Sequence, residues 1–332
     1  MKALLAKDGA AVLTDVPVPG IGDGELLLAL DVCGLCGTDV MKLDTRAAAA
    51  VLGHELVGRV AKAGPGAPFR EGERIVVAHH VPCLECHYCR KGQESMCRQF
   101  KATNIEPGGF AEFVRIPALH AKHTAFRVHG DLDVVAASQT EPLACVLRNV
   151  KRLNAAPGDV VGIVGLGAIG QMTAQLLRIF GVSAVGLDLD PKRAERFGRW
   201  GRAATDADEF AALGRKLSDG RGFDAIVYSA GSPALVARSL AWIRDGGVVN
   251  VFASFHPDPL LPLDLNQIYH RELTVVSSYS PSLADLKEAY ELIASRRFDP
   301  LALEPTSFPL AAFDEAVKAV KERRTLKAVL VP

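Results

Sequence analysis

The chain is 332 residues long, enough for about two domains with separate cores. Its 49% hydrophobic and 23% charged residues are the balance of a globular protein, and Lys plus Arg equals Asp plus Glu at 38 each, so no net field recommends nucleic acid or an anionic membrane as a partner. Lys7 and Asp8 interrupt the amino-terminal stretch where a signal peptide needs an unbroken apolar core, and the longest uncharged apolar run, near 160–170, is too short to span a bilayer, so a cytoplasmic protein is expected.

The first part of the chain reads as short strands broken by Pro and Gly. Residues 25–32, 56–60 and 74–78 are strand candidates, separated by turns at Gly64 to Gly66 and at Glu71 and Gly72. This spacing predicts a compact β-rich domain to about residue 140. Between the first two strands lies the segment Gly34, Cys36, Thr38 and Asp39, followed by Gly53, His54 and Glu55. It joins a thiolate, an imidazole and a carboxylate, the mixture of S, N and O donors that zinc takes; a catalytic zinc needs three protein ligands and an open position. Cys36 would be the soft ligand and His54 the nitrogen ligand, with the third from Glu55 or from farther along. Thr38 is placed to pass a proton, and Asp39 to orient His54 as ligating histidines require. Taken alone, the pair reads first as a small buried cysteine and a core histidine.

The cysteines argue for the metal. There are seven in a chain without an export signal, which points to metal or catalysis rather than disulfides. Four of them, Cys83, Cys86, Cys89 and Cys97, form a C-x2-C-x2-C-x7-C pattern. Four thiolates this close can close a tetrahedral zinc with no open position, a structural site; an iron–sulfur cluster is the alternative. His79, His80 and His87 nearby are expected as surface or packing residues, His120 and His123 as surface loop residues, and the leftover Cys33 and Cys145 as buried and inert.

Beyond Pro157 the pattern changes to alternating strands and helices. A buried strand at 160–164 runs into Gly165, Gly167 and Gly170, then a helix at 171–180 and a second strand at 184–187 that ends at Asp188. A G-x-G-x-x-G between strand and helix, with an acid about twenty residues on, is the dinucleotide fingerprint in its required context. Gly165 permits the tight turn, Gly167 the approach of the pyrophosphate and Gly170 the packing of helix on sheet. The pyrophosphate would rest on the helix N-terminus, at Ala168 and Ile169. Asp188 would accept from the ribose hydroxyls and repel a 2′-phosphate, which favours NAD; Lys192 and Arg193 are cations that could tolerate NADP. Strands at 223–228, 247–252 and 273–276, with a helix at 234–242, continue a parallel doubly wound sheet. Ser282 and Asp285 predict a capped helix whose apolar face is Leu283, Leu286, Tyr290 and Ile293. Phe313, Ala316, Val317 and Val320 mark a last helix before a terminal strand at 326–331, and these closing elements are expected to return to the first domain.

In their order, Cys36 to Asp39, Gly53 to Glu55, the four-cysteine lobe, Glu141 with Pro142, Leu143 and Ala144, and Gly165 to Gly170 resemble the zinc-containing medium-chain alcohol dehydrogenase family across essentially the whole chain. Within it the likeness is greatest to the polyol (sorbitol) and threonine dehydrogenase branch. The resemblance implies an α/β protein with a GroES-like catalytic domain at 1–142, carrying the structural zinc lobe 83–97. It also implies a Rossmann NAD-binding domain at 143–277 and a return to the catalytic domain at 278–332. It implies a catalytic zinc on Cys36 and His54 with Glu55 or Glu141, a second, structural zinc, and a homo-oligomer, dimer or tetramer. The expected activity is reversible oxidation of a secondary alcohol of a polyol, sugar or cyclitol. Threonine-type amino-alcohol oxidation and a non-catalytic nucleotide-binding relative are the alternatives. Two departures stand out. Met41 occupies the position where the family often has a proton-relaying histidine, and the substrate-wall segment between Asp39 and Gly53 is short and alanine-rich. Ser278, Tyr279 and Ser280 lie where relatives place substrate contacts.

Overall fold

The computed structural model describes residues 1–45, 49–254 and 263–332. It divides into two compact units, Met1–Ala144 with Pro281–Pro332, and Cys145–Ser280. Part of the alanine-rich stretch, 46–48, lies outside the described residues.

The first unit is built on two long strands, Leu26–Gly34 and Glu55–Ala63, paired antiparallel with Gly34 opposite Glu55 and Cys33 opposite Leu56. Arg74–Ala78 and then Ala125–Arg127 extend the sheet on one side; Ala328–Val331 and Thr306–Pro309 extend it on the other. Both faces are covered. Cys33, Leu56 and Val77 pack into the main core with Phe110 and Phe313, while the alternate residues Val32, Val57 and Val76 pack with Ala137 and Val329. That alternation is the period of two of a pleated strand, with each face finding an apolar layer. A smaller sheet sets Lys2–Lys7 between Ala10–Asp15 and Ala50–Val51.

The second unit holds a parallel sheet in the order Arg202–Ala204, Ser183–Leu187, Val160–Val164, Phe223–Tyr228, Ile243–Val251, Thr274–Ser277. This is the 3-2-1-4-5-6 order of the dinucleotide-binding fold, whose switch point lies between the first and fourth strands. Val160–Val164 and Phe223–Tyr228 are buried at every residue, as central strands covered on both faces are, and the one charge among them, Asp224, accepts from Val160 N and Arg244 Nε. Two elements differ from the sequence expectation. The helix expected at 234–242 is α-helical over Pro233–Ser239 and tightens into a 3-10 turn at Leu240–Trp242. The strand expected from 247 starts at Ile243, and its ladder with Phe223–Tyr228 is interrupted by a bulge at Arg-Asp-Gly-Gly, where Gly246 has φ +70° and Arg244 Nε donates to Asp224 Oδ1 at 2.5 Å.

Back in the first unit, Leu283–Ala294 opens on the expected capping box. Asp285 N donates to Ser282 Oγ at 3.1 Å, Ser282 N donates to Asp285 Oδ2 at 3.1 Å, and Glu94 Oε2 accepts from Leu283 N at 2.8 Å. Among the described residues no helix is long and apolar enough to cross a membrane. Ser282→Ala removes one acceptor of an otherwise orphaned helix N–H and is expected to cost about 1 kcal/mol. The check is a lower denaturant midpoint at unchanged slope.

Candidate functional site

The strand register assembles the first cluster. Cys36 follows Gly34 by two residues and His54 precedes Glu55, so the Gly34–Glu55 pairing delivers both to the same end of neighbouring strands. Cys36, His54 and Glu55 each present a ligand atom, all within 4.8 Å of one another. His54 and Glu55 are buried and Cys36 is half-buried. Gly34 makes room for this: a Cβ there would stand 1.9 Å from Glu55 Oε2.

Asp39 holds the cluster from behind. It is buried in the helix Gly37–Thr45, and its carboxylate accepts from Cys36 N at 3.1 Å and Gly53 N at 3.3 Å. His54 Nδ1 lies 3.3 Å from Asp39 Oδ1, which leaves Nε2 as the ring atom for a metal. Burial opposes a charged imidazole, but Asp39 and Cys36 outweigh it and hold His54 above its ordinary range. Burial likewise opposes the Asp39 carboxylate, and His54 with the two backbone donors outweighs that and lowers it. Soft, nitrogen and oxygen donors drawn this close fit zinc. Thr38 is exposed in the first turn of the same helix, with its N–H 3.5 Å from Cys36 Sγ. Met41 is likewise exposed. Glu141 is buried in the first turn of Thr140–Lys151 and lines one small void together with Glu55.

The second cluster is Cys83, Cys86, Cys89 and Cys97, also within 4.8 Å of one another. Sulfur separations of 3.5 Å for Cys86–Cys89, 3.6 Å for Cys83–Cys97 and 3.9 Å for Cys83–Cys89 bracket the edge of about 3.8 Å of a tetrahedron with zinc–sulfur bonds of about 2.3 Å. Backbone N–H groups of Cys86 and Cys83 point at Cys83 Sγ and Cys97 Sγ, at 3.3 and 3.5 Å, as thiolates favour.

The glycine-rich loop sits at the switch point. Gly165 has φ +89°, which a side chain resists, and a Cβ on Gly170 would lie 2.0 Å from Gly165 O. A Cβ on Gly167 would meet nothing of the protein nearer than Arg193 Nη1 at 3.8 Å. The helix Ala168–Ile179 begins there with no side chain capping its N–H groups. Open space over bare backbone donors is a cradle that a pyrophosphate fits. Asp188 Oδ2 accepts from Leu166 N at 2.8 Å and Oδ1 from Asp190 N at 2.9 Å, leaving each oxygen a lone pair for a ribose hydroxyl. Arg193 Nη1 is 3.8 Å from Asp188 Oδ2, and its buried Nε has no partner among the described residues.

Comparison with known proteins bears on this arrangement. The family profile described as the alcohol dehydrogenase GroES-like domain matches residues 22–125, and that described as zinc-binding dehydrogenase matches 168–295. The D-altritol 5-dehydrogenase of Agrobacterium fabrum is 31% identical over 82% of this chain and 82% of its own. The chain belongs to the zinc-containing medium-chain alcohol dehydrogenase family. This dehydrogenase is accordingly an oxidoreductase of the zinc-binding, nicotinamide-using kind. It is also 28% identical to the L-threonine 3-dehydrogenase of Bacillus subtilis, over 100% of this chain and 99% of that one. A zinc-binding dehydrogenase structure from Sinorhizobium meliloti, bound to NADP, superposes with TM-score 0.88 at 25% identity, covering 100% and 99% of the two chains.

Sequence reasoning about this dehydrogenase missed two neighbours of the metal cluster. Lys327 is buried and its ammonium donates to Glu55. Burial opposes its charge, but Glu55, Cys36 and Glu141 outweigh that and raise it. Its signal was a lone charge opening an apolar terminal run. His79 lies against His54 with ring centroids 4.7 Å apart and the rings tilted by 43°, and its buried Nδ1 has no partner among the described residues. The surface assignment for His120 is corrected. It is buried within the helix Ala118–His123, where Nε2 donates to the His79 carbonyl at 3.0 Å, and His123 is half-buried in that helix. Cys33 is fully buried, and burial pushes its thiol well above the ordinary range; Cys145, expected buried, is only partly so.

Cys36→Ala is expected to lose one zinc per chain by elemental analysis and to keep the lobe's zinc. Turnover should fall at least about a hundredfold, with dinucleotide affinity unchanged.

Proposed function

We propose that this dehydrogenase interconverts a secondary alcohol of a polyol, sugar or cyclitol and its ketone, with zinc held at Cys36 and His54 and NAD at the glycine-rich loop. The observation that supports this most is the convergence of Cys36, His54 and Glu55 in one buried corner backed by Asp39. When bound, the metal supplies Lewis-acid polarisation of the substrate hydroxyl and the nicotinamide supplies the hydride acceptor. The chain's own residues do the rest. Asp39 fixes the His54 ring; Glu55 or Glu141 completes the donor set; Thr38 takes the hydroxyl proton. Met41 has no group to relay it, so the proton leaves through water or a ribose hydroxyl. The four-cysteine lobe holds a second, structural zinc.

Carboxylate donors suit a substrate that can chelate through neighbouring hydroxyls, and the likeness to a D-altritol 5-dehydrogenase supports a polyol. Ser278, Tyr279 and Ser280 are proposed as substrate contacts; Ser278 Oγ is buried with no partner among the described residues, and Tyr279 is exposed. The similarity to an L-threonine 3-dehydrogenase supports amino-alcohol oxidation as the second reading. Asp188 supports NAD over NADP, while Arg193 beside it gives a 2′-phosphate some footing. A homo-oligomer is proposed on family grounds.

Steady-state kinetics with NAD and NADP over a panel of polyols and L-threonine test these readings together. The expected result is polyol oxidation with kcat/KM for NAD at least about tenfold above NADP, and Asp188→Ser narrowing that ratio. Oxidation of threonine alone would replace the polyol reading, and a preference for NADP would overturn the role given to Asp188.

A further inference from the structure

Lys327 stands immediately before Ala328–Val331, whose pairing with Leu26–Gly34 sets Val329 opposite Gly34. Its ammonium donates to the Leu35 carbonyl at 3.2 Å and to Glu55 Oε2. The two side chains are 6% and 1% exposed. An ammonium and a carboxylate removed from water this completely gain little stability as a pair, because desolvation offsets their attraction. This pair, however, includes a member of the donor set that converges with Cys36 and His54.

One carboxylate therefore has two claimants, the lysine and a cation. A catalytic zinc works only with an open position. Cys36, His54 and Glu55 converge without Glu141, which shares a void with Glu55; were Glu141 to turn to the cation while Glu55 donated freely, the set would close, as four thiolates close the lobe. Glu55 cannot escape by relaxing toward the neighbouring strand, where its Oε2 already fills the space a Gly34 Cβ would need. The charge beside it decides how far it donates. We infer that Lys327 is a positioning residue that keeps Glu55 from becoming a full metal ligand, which preserves the open position for substrate and leaves Glu141 as the third donor. This rests on the reading that Cys36 and His54 hold zinc.

The test compares Lys327→Met, which removes the charge at similar length, with Lys327→Arg, which keeps it. Metal affinity is read by competition with a chromophoric zinc chelator, and coordination by the visible spectrum of cobalt(II) protein. Cys36→Ala, measured in parallel, identifies which metal belongs to this site. Lys327→Met is expected to hold that metal at least about tenfold more tightly, since Glu55 is released to it. Its cobalt bands should weaken as coordination rises above four, and kcat should fall at least about tenfold with dinucleotide KM unchanged. Lys327→Arg should match the unaltered protein in affinity and spectrum. Glu55→Gln, with Lys327 in place, should change metal affinity by less than about threefold, and adding Lys327→Met to it should give no tightening. Weaker or unchanged metal binding in Lys327→Met, or loss of the metal in Glu55→Gln, would overturn the inference alone. A Cys36→Ala protein that keeps both metals would instead overturn the reading beneath it.

Discussion

Pairing of Leu26–Gly34 with Glu55–Ala63 is the constraint from which the site follows, and its register matters more than its existence. With Gly34 opposite Glu55, the residues just past one strand end and just before the next stand side by side, so Cys36 meets His54 without any long-range loop having to be ordered. A slip of one residue would invert every side chain on one strand and send Glu55 to the opposite face. Apolar layers on both faces of the sheet prevent that slip, because Leu56 and Val57 are each committed to a different core.

That register also concentrates charge where water is scarce. Asp39, His54, Glu55, Glu141 and Lys327 are all buried within the first unit, beside the half-buried Cys36. Asp39, His54, Glu55 and Lys327 each have a partner among the others or on the backbone, which is what allows such groups to be buried at all. The lobe solves a simpler version of the same problem: four thiolates at near-tetrahedral separations, with backbone N–H groups aimed at two of them. One cluster mixes donor types and keeps carboxylates in competition; the other is saturated with sulfur. The contrast between a reactive and a structural metal site is thus written in donor chemistry before any ion is considered.

What could be read from the sequence was what is local. Cys36 and Asp39 lie within one turn, the four cysteines within one lobe, and the glycine loop between a contiguous strand and helix, so spacing alone conveyed their geometry. Asp188 was legible because the strand that carries it pairs directly with the one before the loop. Lys327 was not, since its partner Glu55 is 272 positions away and only the non-local pairing of the terminal strand joins them. His120 was expected on a surface loop; tertiary packing, which the local sequence does not encode, buries it. The strand read from Gly247 begins earlier, at Ile243, because the bulge at Arg244 to Gly247 is set by pairing with a non-local strand.

The account turns on a cation sitting between a thiolate and an imidazole near the amino end of the chain. Anomalous diffraction recorded on either side of the zinc absorption edge, from crystals grown with zinc, tests that directly. The account predicts two peaks per chain, one enclosed by the four lobe sulfurs and one within bonding distance of Cys36 Sγ and His54 Nε2. A peak in the lobe with none beside Cys36 and His54 would contradict it.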